Sequence, residues 1–165
     1  GPVYSALQAT NINKDSEVIV TYCDFLVSWD YNKFKRICKG YDSSLITFRN
    51  FHPSSFSGTL YCYLKNSKNL VTKISEKKSF TNKPHEEPAA TGIHYFSSND
   101  LFRKYSEKVL KSKSLKKKYR ELYMSLPYIY LDVFLLPLSF IILKLRSLTL
   151  ITFLMLVLLM GLREK

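Results

Sequence analysis

Apolar residues along this chain gather in short blocks separated by polar turns, a rhythm that predicts strands alternating with helices. Tyr4 to Ile12 reads as a short helix, closed by the polar turn Asn13-Lys14-Asp15-Ser16. The run Val18-Ile19-Val20 then leads through Thr21-Tyr22-Cys23 to Asp24 and Phe25. Consecutive Val and Ile suit a strand buried on both faces, as in the middle of a parallel sheet, so a carboxylate is expected at its C-terminal edge. Open α/β sheets bind ligands along that edge, which makes Asp24 a candidate to hold a metal or a phosphorylated substrate.

Further along, Asp30 is placed to N-cap a helix from Tyr31 to Lys39, with Phe34, Ile37 and Cys38 at helical spacing and Gly40 in the C′ position. Ser44 to Phe48 is a second strand, and the order strand, helix, strand predicts a βαβ crossover with parallel pairing. Leu60 to Leu64 and Leu70 to Ile74, joined by the polar turn Lys65 to Asn69, predict a hairpin projecting from the main sheet. A further strand, Thr91 to Phe96, follows the loop Thr81 to Pro88. Asn99-Asp100 then caps a helix carrying Leu101, Phe102, Tyr105 and Val109 on one face. The helical period continues through Leu115, Tyr119, Leu122, Tyr123 and Leu126 to Pro127.

After Pro127 the pattern changes. Tyr128 to Leu162 is dominated by Leu, Ile, Phe and Val, with Asp132, Lys144 and Arg146 as its charges. Its last uninterrupted run, Ser147 to Leu162, has 16 residues. At about 1.5 Å per residue such a helix falls short of a hydrocarbon core of about 30 Å. The expected organisation is therefore a body over 1–126 and an apolar, helical tail over 127–165, docked on the body or associating with a membrane.

Composition adds three constraints. A chain of 165 residues that is 46% hydrophobic has material for one domain with its own core. The net charge of +12 is concentrated: Arg103 to Arg120 holds nine basic residues against Glu107, about two thirds of the excess. Such a run reads as a solvated helix end or linker, to which an acidic membrane surface or a phosphorylated sugar could be drawn, whereas nucleic-acid binding is disfavoured because the aromatics alternate with apolar residues in strands and look like core. Cys23, Cys38 and Cys62 have no CxxC spacing and read as reduced thiols of a cytoplasmic protein, and His52, His85 and His94 match no metal-ligand spacing.

Three further motifs carry candidate chemistry. Glu76-Lys77-Lys78 ends the strand from Leu70, where a carboxylate could hold a sugar hydroxyl and an ammonium a phosphate. Thr91-Gly92 opens a strand with a hydroxyl and a backbone that a ligand can approach closely. Gly1 precedes the first helix, whose free N–H groups could face a nucleotide.

Taken in order, Gly1 and its helix, the strand to Cys23-Asp24, Trp29-Asp30, Leu45-Ile46-Thr47-Phe48, His52-Pro53, Tyr61-Cys62-Tyr63-Leu64, Val71 to Lys78 and Thr91 to Phe96 resemble the sugar-phosphate nucleotidyltransferases. These are the NDP-sugar pyrophosphorylases of the glucose-1-phosphate thymidylyl- and uridylyltransferase kind. The resemblance covers roughly residues 1–125 and is strongest from Val18 to Phe96. It implies a Rossmann-like mixed, mostly parallel sheet flanked by helices, and an enzyme joining a nucleoside triphosphate to a sugar 1-phosphate. In that reaction a sugar-phosphate oxygen attacks the α-phosphorus and pyrophosphate leaves. By the same resemblance Asp24 would be a ligand of magnesium (Mg²⁺) and Glu76 would accept from sugar hydroxyls. Lys77 would meet the sugar phosphate, Thr91 and Gly92 would line the sugar pocket, and Gly1 would lie against the nucleobase.

The family's Gly-rich, Arg-ending loop, its following Lys and its second metal-binding Asp have no counterpart here; Met160-Gly161-Leu162-Arg163 and Asp132 do not match that Asp's context. The chain is therefore expected to be a partial domain, with activity belonging to the complete enzyme and no nucleotide turnover by this polypeptide. Its Leu-rich end reads either as a shifted frame over the last ~35 residues or as a membrane-associating appendage. The alternative from another class is a membrane-peripheral binding protein, using the basic helix and the apolar tail.

Overall fold

The computed structural model describes residues 1–23, 29–50, 58–131 and 133–137, with residues 134–137 described by their backbone. In chain order the elements are α1 (Pro2–Leu7), β1 (Val18–Thr21), α2 (Tyr31–Cys38), β2 (Ser43–Phe48), β3 (Cys62–Ser67) and β4 (Leu70–Glu76). A 3₁₀ turn (Pro84–Glu86), β5 (Ala89–Phe96), α3 (Asn99–Lys111), α4 (Lys113–Lys118), a second 3₁₀ segment (Leu126–Tyr130) and β6 (Val133–Pro137) follow.

The six strands form one mixed sheet in the order β1-β5-β2-β6-β4-β3, with a further contact between β3 and β5. Its pairings correct the expectation of a mostly parallel sheet. β5 lies antiparallel between β1 and β2, β3 and β4 are antiparallel, and β2–β6 is the parallel ladder among the described residues. The crossover β1-α2-β2 does bring two strands back in the same direction, but a strand from much later in the chain fills the slot between them. β1 is accordingly an edge strand among the described residues, not a central one. The physical reason is that an apolar run reports burial of a strand's two faces and says nothing about its two edges. Val18 and Val20 pack into the cluster containing Val3, Phe96, Phe102 and Tyr128, while Ile19 packs on the other side with Phe34, Ile46 and Tyr95.

Helices cover both of these faces. α2 has the expected cap: the Asp30 carboxylate accepts the Lys33 N–H at 2.9 Å. Phe34 and Cys38 bury its apolar face, and Gly40, at φ +94°, carries the chain out of the helix. Glu17 fastens α2 to the sheet, pairing with Lys35 at 2.6 Å and accepting the Tyr95 hydroxyl at 2.9 Å. On the opposite face, α3 is capped by Ser98, whose hydroxyl accepts from Leu101 N–H, and buries Phe102 and Val109. The cap thus falls one residue before the Asn99-Asp100 pair that the sequence suggests.

The hairpin β3–β4 is present and turns tightly at Lys68-Asn69, both with positive φ (+47° and +67°), as a two-residue turn matching strand twist requires. It is stitched to the sheet through Tyr63 opposite Ala89 and Leu70 opposite Phe134. The segment after Pro127 departs from the expected helix. Leu126 and Tyr128 are buried in the core, and Val133–Pro137 is a strand beside β2. The rest of the apolar tail, together with Asp24, His52-Pro53 and Asp132, lies outside the described residues. Among the described residues no helix is long and apolar enough to cross a membrane.

Candidate functional site

β5 creates the site by sharing one of its edges between two strands. Its C-terminal half pairs with β1, ending at Thr21 opposite Ile93, and its N-terminal end meets β3 at Tyr63 opposite Ala89. Residues 90–92 lie between these contacts, where the end of β1 and the start of β3 diverge. On its other edge β5 bulges here, since Leu45 faces His94 while Thr47 faces Ala90. Gly92 absorbs the bulge at φ +94°, and the Thr91 hydroxyl donates to the Ile46 carbonyl at 3.1 Å. Bulges of this sort re-aim backbone beside functional clefts. Thr91 and Gly92 thus lie where these two strands diverge, which we call the crevice; Gly92 is buried there and the Thr91 hydroxyl is engaged in holding the bulge.

Glu76 ends β4 directly opposite Cys62 and is 9% exposed. Ser125, from the segment that follows α4, donates its hydroxyl to a Glu76 carboxylate oxygen. Burial pushes the Glu76 carboxyl upward, opposed by Ser125, by the Lys77 charge and by the Cys62 thiol. Burial beside the same carboxylate pushes Cys62 well up. Tyr22, the residue after β1, belongs to this group: burial raises its hydroxyl to about 12, with the Met124 backbone opposing and Glu76, Cys62 and Tyr123 adding to the rise. Tyr22 packs against the cluster that holds Cys62 and Met124, and Cys62 lies opposite Glu76, so the end of β1 and the Glu76 strand end converge; Tyr22 also lies edge-on to the buried His94 ring, with centroids 6.0 Å apart.

Lys77 turns the opposite way. Its φ is +55°, a conformation that costs a non-glycine residue on the order of 1–3 kcal/mol. Two hydrogen bonds hold it there: its N–H donates to Tyr61 O and its carbonyl accepts from the Thr59 hydroxyl, both at 2.9 Å. The reversal separates two adjacent charges, leaving Glu76 inside and the Lys77 ammonium at the rim, 4.5 Å from the centre of the Tyr123 ring. Tyr123 is the main cause of the upward shift of Lys77.

Gly1 is placed elsewhere. It caps α1 and packs on Glu121 and Leu122, where an added Cβ would come within 3.1 Å of Leu122 N. It borders an open groove of about 270 Å³ whose charged lining includes Lys116 and Arg120. Leu122 lines this groove, and the chain runs on from it through a turn at Met124 to Ser125 beside Glu76. No group of three or more potential His, Cys, Asp or Glu ligands forms among the described residues, and Glu76 is already engaged with Ser125. The described residues by themselves do not assemble a metal site. Cys38 and Cys62 are buried and Cys23 is exposed, all three as free thiols.

The sequence reading identified Glu76, Lys77, Thr91 and Gly92 but missed Tyr22, Cys62, Tyr123 and Ser125. Tyr22 and Cys62 stood inside strand motifs but were given no role there, and only proximity in space connects them with Tyr123 and Ser125.

No protein-family profile matches the chain, and no curated protein matches its sequence. Among solved structures, the crystal structure of a nucleoside-diphosphate-sugar pyrophosphorylase from Vibrio cholerae RC9 is similar, with a TM-score of 0.57 and 15% identity. The alignment covers 81% of this chain and 53% of that protein, so this chain spans about half its length. At that identity the likeness establishes a shared fold.

Proposed function

We propose that this domain serves nucleotidyl transfer, joining a nucleoside triphosphate to a sugar 1-phosphate with release of pyrophosphate, and that the Glu76–Lys77 crevice is its sugar-phosphate subsite. The observation that supports this reading most is the convergence of the Glu76 carboxylate with Tyr22, at the strand end leading to Asp24, with Lys77 facing outward beside it. In this reading the Lys77 ammonium meets the phosphate, the free lone pairs of Glu76 accept from sugar hydroxyls, and the bulged backbone at Gly92 lets the ring approach. The shared fold with a nucleoside-diphosphate-sugar pyrophosphorylase agrees with it. Mg²⁺ would be held through Asp24 and substrate oxygens, since a hard cation takes few protein carboxylates and keeps waters or phosphates as its other ligands. Bound there, it would neutralise phosphate charge.

The test is calorimetric titration with glucose 1-phosphate and other hexose 1-phosphates, with glucose and inorganic phosphate as controls. The intact chain should prefer a sugar phosphate to either half of it, and Lys77→Ala should weaken binding about tenfold, the scale of one charge-assisted contact. Equal binding of inorganic phosphate and every sugar phosphate, or an unaffected Lys77→Ala, would overturn the proposal.

A further inference from the structure

The segment Leu122 to Ser125 has a role that the motif residues do not reveal. It touches both walls of the crevice: Leu122 O accepts from Val3 N–H at 3.1 Å, Tyr123 backs Lys77, the Met124 backbone meets the Tyr22 hydroxyl, and Ser125 reaches Glu76. Ser125 is itself buried, at 2% exposure, so water does not compete for its hydroxyl. Around the Glu76 carboxylate, Cys62 faces it from β3, Tyr22 from the end of β1, Ser125 from the segment after α4, and Lys77 from its own strand end, with Tyr123 set against Lys77 and Tyr22. Ser125 donates its hydroxyl to the carboxylate, and the Cys62 thiol, a weaker donor, also hydrogen-bonds it.

We infer that Ser125 is a positioning residue for the sugar-phosphate subsite, keeping Glu76 oriented and ionised so that it accepts, rather than donates, a hydrogen bond. The inference rests on the reading of the crevice given above. A carboxyl buried to this extent drifts towards its neutral form, which carries a proton and offers a sugar hydroxyl a different partner. A donor fixed on one oxygen favours the charged form and leaves the second oxygen's lone pairs directed to the ligand. Ser125 does so from a segment that also supports Tyr22 and Lys77, so the acid, the base and the strand end are set by a single stretch of backbone.

Two measurements on the full chain separate this inference from the reading beneath it. The first follows the Glu76 side-chain carboxyl by carbon NMR against pH in the free protein. Its titration midpoint should move upward in Ser125→Ala and return towards the parent value in Ser125→Thr, which restores the hydroxyl. The second titrates glucose 1-phosphate across pH. Ser125→Ala should bind about tenfold more weakly, with its acid-side loss of affinity beginning at higher pH, and Glu76→Gln should remove that limb. An unchanged Glu76 midpoint in Ser125→Ala overturns the inference whatever the ligand does. A shifted midpoint in a chain whose parent form binds no sugar phosphate upholds the control of Glu76 and overturns the subsite.

Discussion

The Glu76 crevice and the basic arm from Arg103 to Arg120 carry charge in opposite ways. In the crevice a single carboxylate is buried among a serine, a thiol and a tyrosine, and its ionisation is displaced by that setting. The arm has many more charges, yet α4 buries no residue at all. Arg103, at the arm's start, donates to the Leu7 and Ala9 carbonyls, but the lysines beyond it make the contacts of a solvated surface: Lys111 sits 3.7 Å from Glu107, and Lys108 and Lys118 lie over the Tyr130 and Tyr119 rings. Exposed pairs of this kind contribute about 0–1 kcal/mol. The contrast teaches that the number of charges, which dominates a first look at the composition, is a poor guide to where chemistry is arranged. What alters a group is the water taken away from it.

The sharpest way to break the contrast is to remove the packing behind the crevice. Tyr128 is 1% exposed, stacks on Phe96 with centroids 4.9 Å apart, and donates its hydroxyl to the Tyr95 carbonyl at 3.2 Å. Tyr128→Ala should lower stability by about 4 kcal/mol, measured by the urea midpoint, because the cavity adds to the lost burial. A cost below about 1 kcal/mol would mean that this side of the sheet is no better packed than the arm.

His94 gives the next largest effect. It is buried between the Tyr22 and Tyr128 rings, its Nδ1 has no hydrogen-bond partner among the described residues, and burial holds its pKa down at about 3. The unfolded chain takes up a proton near the ordinary value of about 6.5, whereas the native ring stays neutral. Stability is therefore full above about pH 6.5 and is lost progressively as pH falls towards 3, by about 3 kcal/mol between pH 7 and pH 4. Denaturation series at several pH values should show this slope in the parent chain and a flatter one in His94→Leu.

The smallest effect compares two serine caps. Ser98 opens α3, which buries Phe102 and Val109, while Ser112 opens α4, which buries no residue fully and packs only the partly buried Leu115 against the core. Ser98→Ala should cost about 1 kcal/mol, the usual worth of an N-cap. Ser112→Ala should cost less than half of that, since an exposed six-residue helix adds little to global stability. Equal costs would show that the arm folds as one unit with the body.

Much of the secondary structure was legible because its causes are local. Asp30 marked α2, the polar block before Leu70 marked the hairpin turn, and Glu76-Lys77 marked a strand end. Strand direction was not legible, because β5 enters between β1 and β2 from a distant part of the chain and no local pattern encodes an edge partner. Val133–Pro137 was misread for a related reason: a continuous apolar run fits a buried strand as well as a helix, and length alone favoured the helix. At the site, Glu76, Lys77, Thr91 and Gly92 could be picked out by type and order. Ser125, Cys62 and Tyr22 are ordinary residues in three separate segments, and the sheet gives them meaning.

The shared edge of β5 also has a consequence for biosynthesis. Val18 and Ser43 both wait for Phe96 before their strands gain this common neighbour. Until β5 has emerged from the ribosome, β1 and β2 present open backbone to anything that can pair with it, while the hairpin β3–β4 can close by itself. Long-range pairing of this kind slows folding and leaves edges available for wrong association. Truncation within β5 should therefore yield a chain that aggregates during synthesis.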